Sequence, residues 1–484
     1  MSVVNAAVRA VEESGVRPEL LSDGTSGVYL IRGSPPTGDP SVMGAGAGHG
    51  WDASARSGVS CRGAHVGGSS RREDAPFGLG AELSSSPPVA VFKPADEEAG
   101  AENNPRGLRG AAHVMREGFS SGDGATRELV AYRLDHRGWA GVPRTAVDVL
   151  LLRSPTGTHL AEQTGSIQQY VVSAGDVGEY RFDGSQFDAR ASHRIALLDL
   201  RLFNCDRHEG NILVRPPEPT PAAHGGEGFG DGFGDGFGDG LADGFGDDLG
   251  DGLGDGLGDG LGDGLGGRGA SAAPCVAPRP SASDEGVAPM APAPMAPAPL
   301  GLVPIDHAFV LPRFGYFREA EFAWRYWTSA AKPIGRDAVE YVAALNVDAD
   351  VDVARKAGLD ESSCATLRVC TMLLKRAVLG HAHGLLSGRA ATAAAASAAA
   401  PAVTPKTVSA LLMREEFDEP SPLERLCARA LGVADADSLT DTGLIDFISS
   451  EQKHRGEPVD SFVPPEDFYE RLAALLEALE TFGD

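Results

Sequence analysis

The sequence predicts an α+β fold, sheet-rich in its first part and mainly helical in its second. Three observations predict it. Runs with the period-two alternation of strands are concentrated before residue 172. From about residue 338 the apolar residues recur with a helical period. Two long stretches, residues 33–88 and 216–300, are rich in Gly, Ser, Pro and Ala without any period, and are expected to be disordered insertions.

In chain order, residues 3–15 read as a short helix, and 19–32 as a strand, a Gly/Ser turn and a second strand. After the first insertion, Val89, Val91 and Lys93 alternate with Ala90 and Phe92, the pattern of a strand. Residues 125–137 read as a helix, with Val130 and Leu134 one turn apart. Strands are expected at 146–152 and 166–172, and a helix at 188–204 with Ala191, Ile195, Leu198 and Leu202 on one face. Short strands follow at 212–214 and at the start of 302–311. In 367–377, Leu367, Cys370, Leu374 and Ala377 share a helical face. Residues 386–405 are an Ala-rich linker that divides a domain at 20–385 from a helical extension at 406–484, with helices near 406–416, 421–431 and 465–481.

The bulk numbers exclude several functions. A formal net charge of -26 opposes a general nucleic-acid binder and gives no bulk attraction to an anionic membrane. Much of that acidity lies in one tract that repeats Gly-Phe/Leu-Gly-Asp inside the second insertion. The repeat lacks the nine-residue period of calcium β-rolls and reads as a self-repelling linker. The six cysteines form no CxxC pair or zinc spacing and read as free thiols of a reducing compartment. No signal sequence, transmembrane run or myristoylation pattern is evident. The expected location is cytoplasmic, with a peripheral membrane or nuclear site as alternatives.

Phosphoryl transfer needs a cover over the phosphates, a cation against them, oxygen ligands for a divalent ion and a group that takes a hydroxyl proton. The chain offers each in order. Residues 22–29 put Ser26, Gly27, Val28 and Tyr29 in a turn whose N–H groups can approach phosphate, although a plain hairpin would look the same. Lys93 ends an apolar strand, either aimed into a cleft or solvated, and Glu128 on the next helix is its natural partner or a surface residue. In the run DRHEGNILV, Asp206 and Asn211 have the Asp-to-Asn spacing of the protein-kinase catalytic loop. Asp206 or His208 can take the proton, and the Asn211 oxygen can ligate magnesium. Asp306, after the strand at 302–304, occupies the place of the principal metal ligand, although a strand-end Asp is also a turn former.

At this point the chain resembles the phosphatidylinositol 3-/4-kinase family, most of all the plant and algal gamma phosphatidylinositol 4-kinases. DRHEGNILV and LVPIDHAFVLP resemble the catalytic and activation loops, and VAVFKPADEEAGAENNPRG the lysine-strand block. GSIQQYV at 165–171 resembles the hinge, AEFAWRYWTSAAKP at 320–333 the segment after the activation loop, and LRVCTMLLKRA at 367–377 the C-terminal helical block. The resemblance implies a bilobal protein-kinase-like fold that binds ATP with Mg²⁺ or Mn²⁺. It implies nucleotide contacts from Ser26, Gly27, Val28, Tyr29, Lys93 and the hinge residues Gln168, Gln169, Tyr170 and Val171. It gives Asp206, His208 and Asn211 the catalytic-loop roles, with Asn211 and Asp306 on the metal. The implied acceptor is the inositol 4-hydroxyl of phosphatidylinositol in membranes.

The departures are an insertion between the turn and Lys93, Gln169 where the family favours an apolar residue, no room for ubiquitin-like domains, and no palmitoylation cluster. They keep two alternatives open: a protein Ser/Thr kinase on the same machinery, and a kinase-like scaffold with little turnover.

Overall fold

The structure is a computed structural model. It describes residues 18–22, 24–33, 87–111, 114–153, 160–216, 299–386, 402–416, 418–434, 436, 439 and 443–479. The helix expected at 3–15, nearly all of both insertions including the Gly/Asp repeat, most of the Ala-rich linker, and Cys61 and Cys275 lie outside the described residues. Sheet and helix are both present.

The first half of the chain builds a five-stranded antiparallel sheet. Its strands are β1 (Glu19–Leu20), β2 (Tyr29–Arg32), β3 (Pro88–Pro94), β4 (Thr145–Arg153) and β5 (Leu160–Gln169), in the order β1-β2-β3-β5-β4. Alternation works as the sequence suggests: Ala90 and Phe92 turn inward to join Ile31, Leu150 and Ile167 in a small core. β5 differs from the expected 166–172. It begins at Leu160, because β4 pairs with it from Thr145↔Gln168 to Arg153↔Leu160, and it ends before Tyr170. Gly165 sits opposite Pro94, where a Cβ would come within 2.3 Å of the Lys93 carbonyl oxygen, so only glycine lets β3 and β5 close there.

Helix α1 (Gly124–Leu134) follows β3 in the chain and carries Glu128. Its Val130, Ala131 and Leu134 pack with Leu198 and Leu202 of α2 (Ala189–Leu202) and with Val310 and Leu311. Asp188 caps α2 by accepting from the N–H groups of Arg190 and Ala191, and Phe203 ends it in a left-handed turn at φ 44°. The single apolar face expected for α2 is too narrow. Ile195 packs into one core while Leu198 and Leu202 pack into another, so the helix is buried on two sides.

Strands β6 (Ile212–Val214) and β7 (Leu302–Pro304) pair antiparallel, Ile212 opposite Pro304. The remainder is helical: α3 (Arg336–Ala344), α4 (Val347–Lys356), α5 (Glu361–Leu386), α6 (Pro405–Leu412), α7 (Pro422–Ala430), α8 (Leu444–Arg455) and α9 (Glu466–Ala478). Helix α8 is absent from the expected elements. Its buried face is Leu444, Ile448 and Gln452, and the polar third member breaks the apolar period. Val408, Leu423, Leu444 and Phe468, from the segment set apart as an extension, lie in one continuous core with Ile195 of α2 and Val369 of α5.

Candidate active site

Pairing of β6 with β7 decides where the chemistry gathers. It brings the end of the DRHEGN loop against Ile305, whose N–H donates to the Asn211 carbonyl at 3.0 Å. Arg207 then locks the two loops together. Its guanidinium donates to the carbonyls of Asn211 and Ile305, each at 2.6 Å, and pairs with the fully buried Asp199 at 3.0 Å. Asp199 also accepts from Asn204 Nδ2 and Trp324 Nε1, each at 2.9 Å, and Asn204 in turn accepts from the Asp206 N–H at 2.8 Å. A buried charge held this way is costly to disturb, since removing one partner strands the other in the interior. Sequence reasoning missed Asp199; its signal is an acid inside the apolar run of α2.

Lys93 is the meeting point of the sheet and the loops. Its Nζ donates to Glu128 Oε1 at 2.6 Å and stands 3.1 Å from Asp306 Oδ1. Burial works against the ammonium, but Asp306 and then Glu128 outweigh it and hold its pKa above the ordinary lysine range. Burial likewise opposes charge on Glu128, and Lys93 keeps that carboxyl well below the usual carboxylate range. Gln168 belongs to this cluster through its side chain, which donates to Glu128 Oε2 at 3.4 Å and Thr145 Oγ1 at 3.1 Å. His307 is fully buried, with Nδ1 3.6 Å from Glu128 Oε2, too far for a hydrogen bond.

Asp206 lies on the other loop and pairs with Arg116 at 2.6 Å. Burial raises its pKa, Arg116 lowers it, and nearby Asp306 raises it again, with a net upward result. Arg116 also reaches Glu321 at 3.1 Å and Glu319 at 3.8 Å. It comes from a stretch with no periodicity, which is why the sequence did not point to it. Asn211 donates through Nδ2 to the Asp206 carbonyl at 2.9 Å, which leaves its side-chain oxygen for another partner. His208 is exposed, and its Nδ1 accepts from the Gly210 N–H at 3.1 Å, so one ring nitrogen is spent on its own turn.

The turn before β2 is tied to the loop after β3. The Gly27 N–H donates to the Glu97 carbonyl at 3.0 Å and Ser26 Oγ accepts from the Ala99 N–H at 3.2 Å. Tyr29 donates to Glu97 Oε2 at 2.7 Å. Val28 spends its carbonyl on the Leu21 N–H at 2.8 Å. A Cβ on Gly27 would run into the Glu97 carboxylate at 2.2 Å. Next along, Glu98 accepts from the N–H groups of Gly122, Gly124 and Ala125 at the start of α1, and burial pushes its carboxyl up to about 7. In the expected hinge, the Gln169 N–H is taken by the Arg144 carbonyl and the Tyr170 N–H by that of Val89. Val171, just past the strand, has no backbone hydrogen bond among the described residues.

The donor set suits a hard divalent cation: a part-exposed Asp306 carboxylate, 40% accessible, and the remaining Asn211 oxygen. Among the described residues no group of three or more His, Cys, Asp or Glu gathers for a metal. Magnesium held largely by substrate phosphates needs no such group. The described cysteines, Cys205, Cys364, Cys370 and Cys427, are free and buried. No helix among the described residues is long and apolar enough to cross a membrane.

The family model described as phosphatidylinositol 3- and 4-kinase matches residues 83–382. Phosphatidylinositol 4-kinase gamma 4 of Arabidopsis thaliana is 28% identical over 312 residues, which cover 60% of this chain and 40% of that protein. Phosphatidylinositol 4-kinase gamma 3 of the same plant is 27% identical over 387 residues, 75% of this chain and 48% of the relative. Phosphatidylinositol 4-kinase gamma 4 of Oryza sativa subsp. japonica is 27% identical over 356 residues, 71% and 44% respectively. The chain thus spans less than half the length of these relatives.

Proposed function

The chain belongs to the phosphatidylinositol 3- and 4-kinase family, and from that premise we propose that it transfers the γ-phosphoryl group of ATP to the inositol 4-hydroxyl of phosphatidylinositol. The observation that carries this reading is Lys93, held between Glu128 at 2.6 Å and Asp306 at 3.1 Å. A cation fixed by a buried carboxylate beside a potential metal ligand is the arrangement that phosphoryl transfer demands.

In this reading the sheet-bearing part and the helical part are the two lobes of a kinase, and residues 20–385 are its catalytic domain with both insertions included. Lys93 neutralises nucleotide phosphate, and Glu128 holds it there with help from Gln168. The turn at Ser26–Tyr29 covers the phosphates. Gly27, Ser26 and Tyr29 also brace the turn against Glu97 and Ala99, so stiffness is part of what they supply. Adenine meets the backbone past β5, where the N–H of Val171 has no partner among the described residues. Asp306 and Asn211 hold magnesium, or manganese, which screens phosphate charge when bound. Asp206 takes the acceptor proton. Its raised pKa suits a base, whereas His208 has one nitrogen committed to its own turn. The reading places the protein in the cytoplasm, with a peripheral membrane or nuclear site as alternatives.

A protein acceptor is the second reading, favoured by the acids near Asp206. Glu319 and Glu321 share Arg116 with it, a setting suited to a basic peptide. Incubation of the protein with labelled ATP and magnesium, with phosphatidylinositol vesicles in one arm and a basic protein in the other, separates the two. Label in the lipid supports the proposal. Label only in protein favours the second reading, and label in neither leaves a nucleotide-binding scaffold.

A further inference from the structure

A basic cavity lies at the opposite end of α2 from the catalytic loop. The helix has 14 residues, which at about 1.5 Å per residue separates its two ends by roughly 20 Å. There a cavity of about 350 Å³ opens between the first turns of α2 and α3. Its walls include Arg190, His193 and Arg194 from α2, Lys332 from the preceding loop, and Arg336 and Asp337 from α3.

The charge balance is one-sided in a chain whose formal net charge is -26. Four full cations face one lining carboxylate. Asp337 pairs with Arg194 at 3.5 Å, and Arg336 pairs with Glu340 at 2.8 Å outside the cavity. Asp188 is spent on capping α2. The side chains of Arg190 and Lys332 are exposed and have no ion-pair or hydrogen-bond partner among the described residues. Arg194 stands over the Trp139 ring at 5.5 Å, and its Nε is buried without a hydrogen-bond acceptor. The N-cap of α3 is Gly335, which offers no side chain to the first-turn N–H groups. His193 adds no charge. Its Nε2–H is directed at the Ser329 carbonyl at 2.7 Å, and burial, with Lys332 adding to it, lowers its pKa.

Solvated surface arginines ordinarily stand apart or pair with acids. Here two cations without a counter-charge, the Arg194–Asp337 pair and a helix start without a side-chain cap line one concavity. We infer that this cavity binds a phosphate group, carried by a lipid headgroup or free in solution. A carboxylate would leave the site with excess positive charge. A phosphate offers more charge and more acceptor oxygens to the forked arginines and the open N–H groups.

The test measures binding rather than turnover, so its outcome is independent of the acceptor assigned above. Wild-type protein and the double variant Arg190→Glu/Lys332→Glu are titrated with inorganic phosphate by calorimetry. Both are also sedimented with phosphatidylcholine vesicles, plain or doped with phosphatidic acid. Both substitutions are on exposed side chains, and an acid in the first turn of α2 is compatible with its dipole. An unchanged melting temperature checks the fold. The expected result is saturable binding in at least one arm, weakened by about tenfold or more in the variant. Binding of phosphate in solution identifies a soluble ligand, and retention on the doped vesicles alone identifies a headgroup. Binding equal in wild type and variant, or absent from both arms, overturns the proposal.

Discussion

Asp306 reaches Lys93 from a backbone in the left-handed region, at φ 54°, with its Oδ1 3.1 Å from Nζ. A non-glycine residue held there costs on the order of 1–3 kcal/mol, and the surroundings must impose it. They do so through the β6–β7 pairing and through Arg207, which fixes the carbonyl of Ile305 immediately before the strained residue. The strain therefore marks where the fold spends stability on aiming a carboxylate.

Glu128 supplies the second constraint on Lys93. In Glu128→Gln the charge that holds the ammonium in place is gone while the side-chain volume is kept. Misplacing a group by about 1 Å can cost on the order of 10²-fold, and kcat/KM for ATP should fall by about that much. Steady-state kinetics with unchanged circular dichroism would check this, and wild-type kinetics would remove Glu128 from the site.

Arg116 sets the charge of Asp206. Its guanidinium favours the ionised carboxylate against burial and Asp306, so removing it should raise the pKa of Asp206 further. A base must be deprotonated to act. The acidic limb of the pH–rate profile of Arg116→Ala should accordingly move to higher pH, while an unmoved limb would mean that Asp206 is not the titrating group.

Asp199 is a structural centre of the loops. Replacing it with Asn strands the buried guanidinium of Arg207 without its counter-charge, and loss of one member of such a pair costs about 3–5 kcal/mol. Urea unfolding should show that loss. A change below about 1 kcal/mol would mean that the network contributes little.

Much of this was legible in the sequence because it is local. The alternation around Phe92 fixes a strand that carries Lys93 near its end, and the spacing from Asp206 to Asn211 fixes one turn. The distant order of Lys93, Asp206 and Asp306 is what a chain folding around one nucleotide would have. What was not legible depends on tertiary pairing. Strand β5 begins at Leu160 because β4 lies beside it. Helix α8 hides behind Gln452 on its buried face. Arg116 is meaningful only once Asp206 is beside it, and no period announces that contact. The braced turn at Ser26 and Gly27 depends on Glu97 and Ala99, from a loop beyond the first insertion.

The most direct test of the central claim compares wild-type protein with Asp306→Asn in magnesium-dependent transfer from γ-labelled ATP, with melting temperatures measured on the same samples. The Lys93–Asp306 site predicts label transfer by the wild type and its loss in a variant that melts as the wild type does. Transfer at the wild-type rate by Asp306→Asn would contradict it.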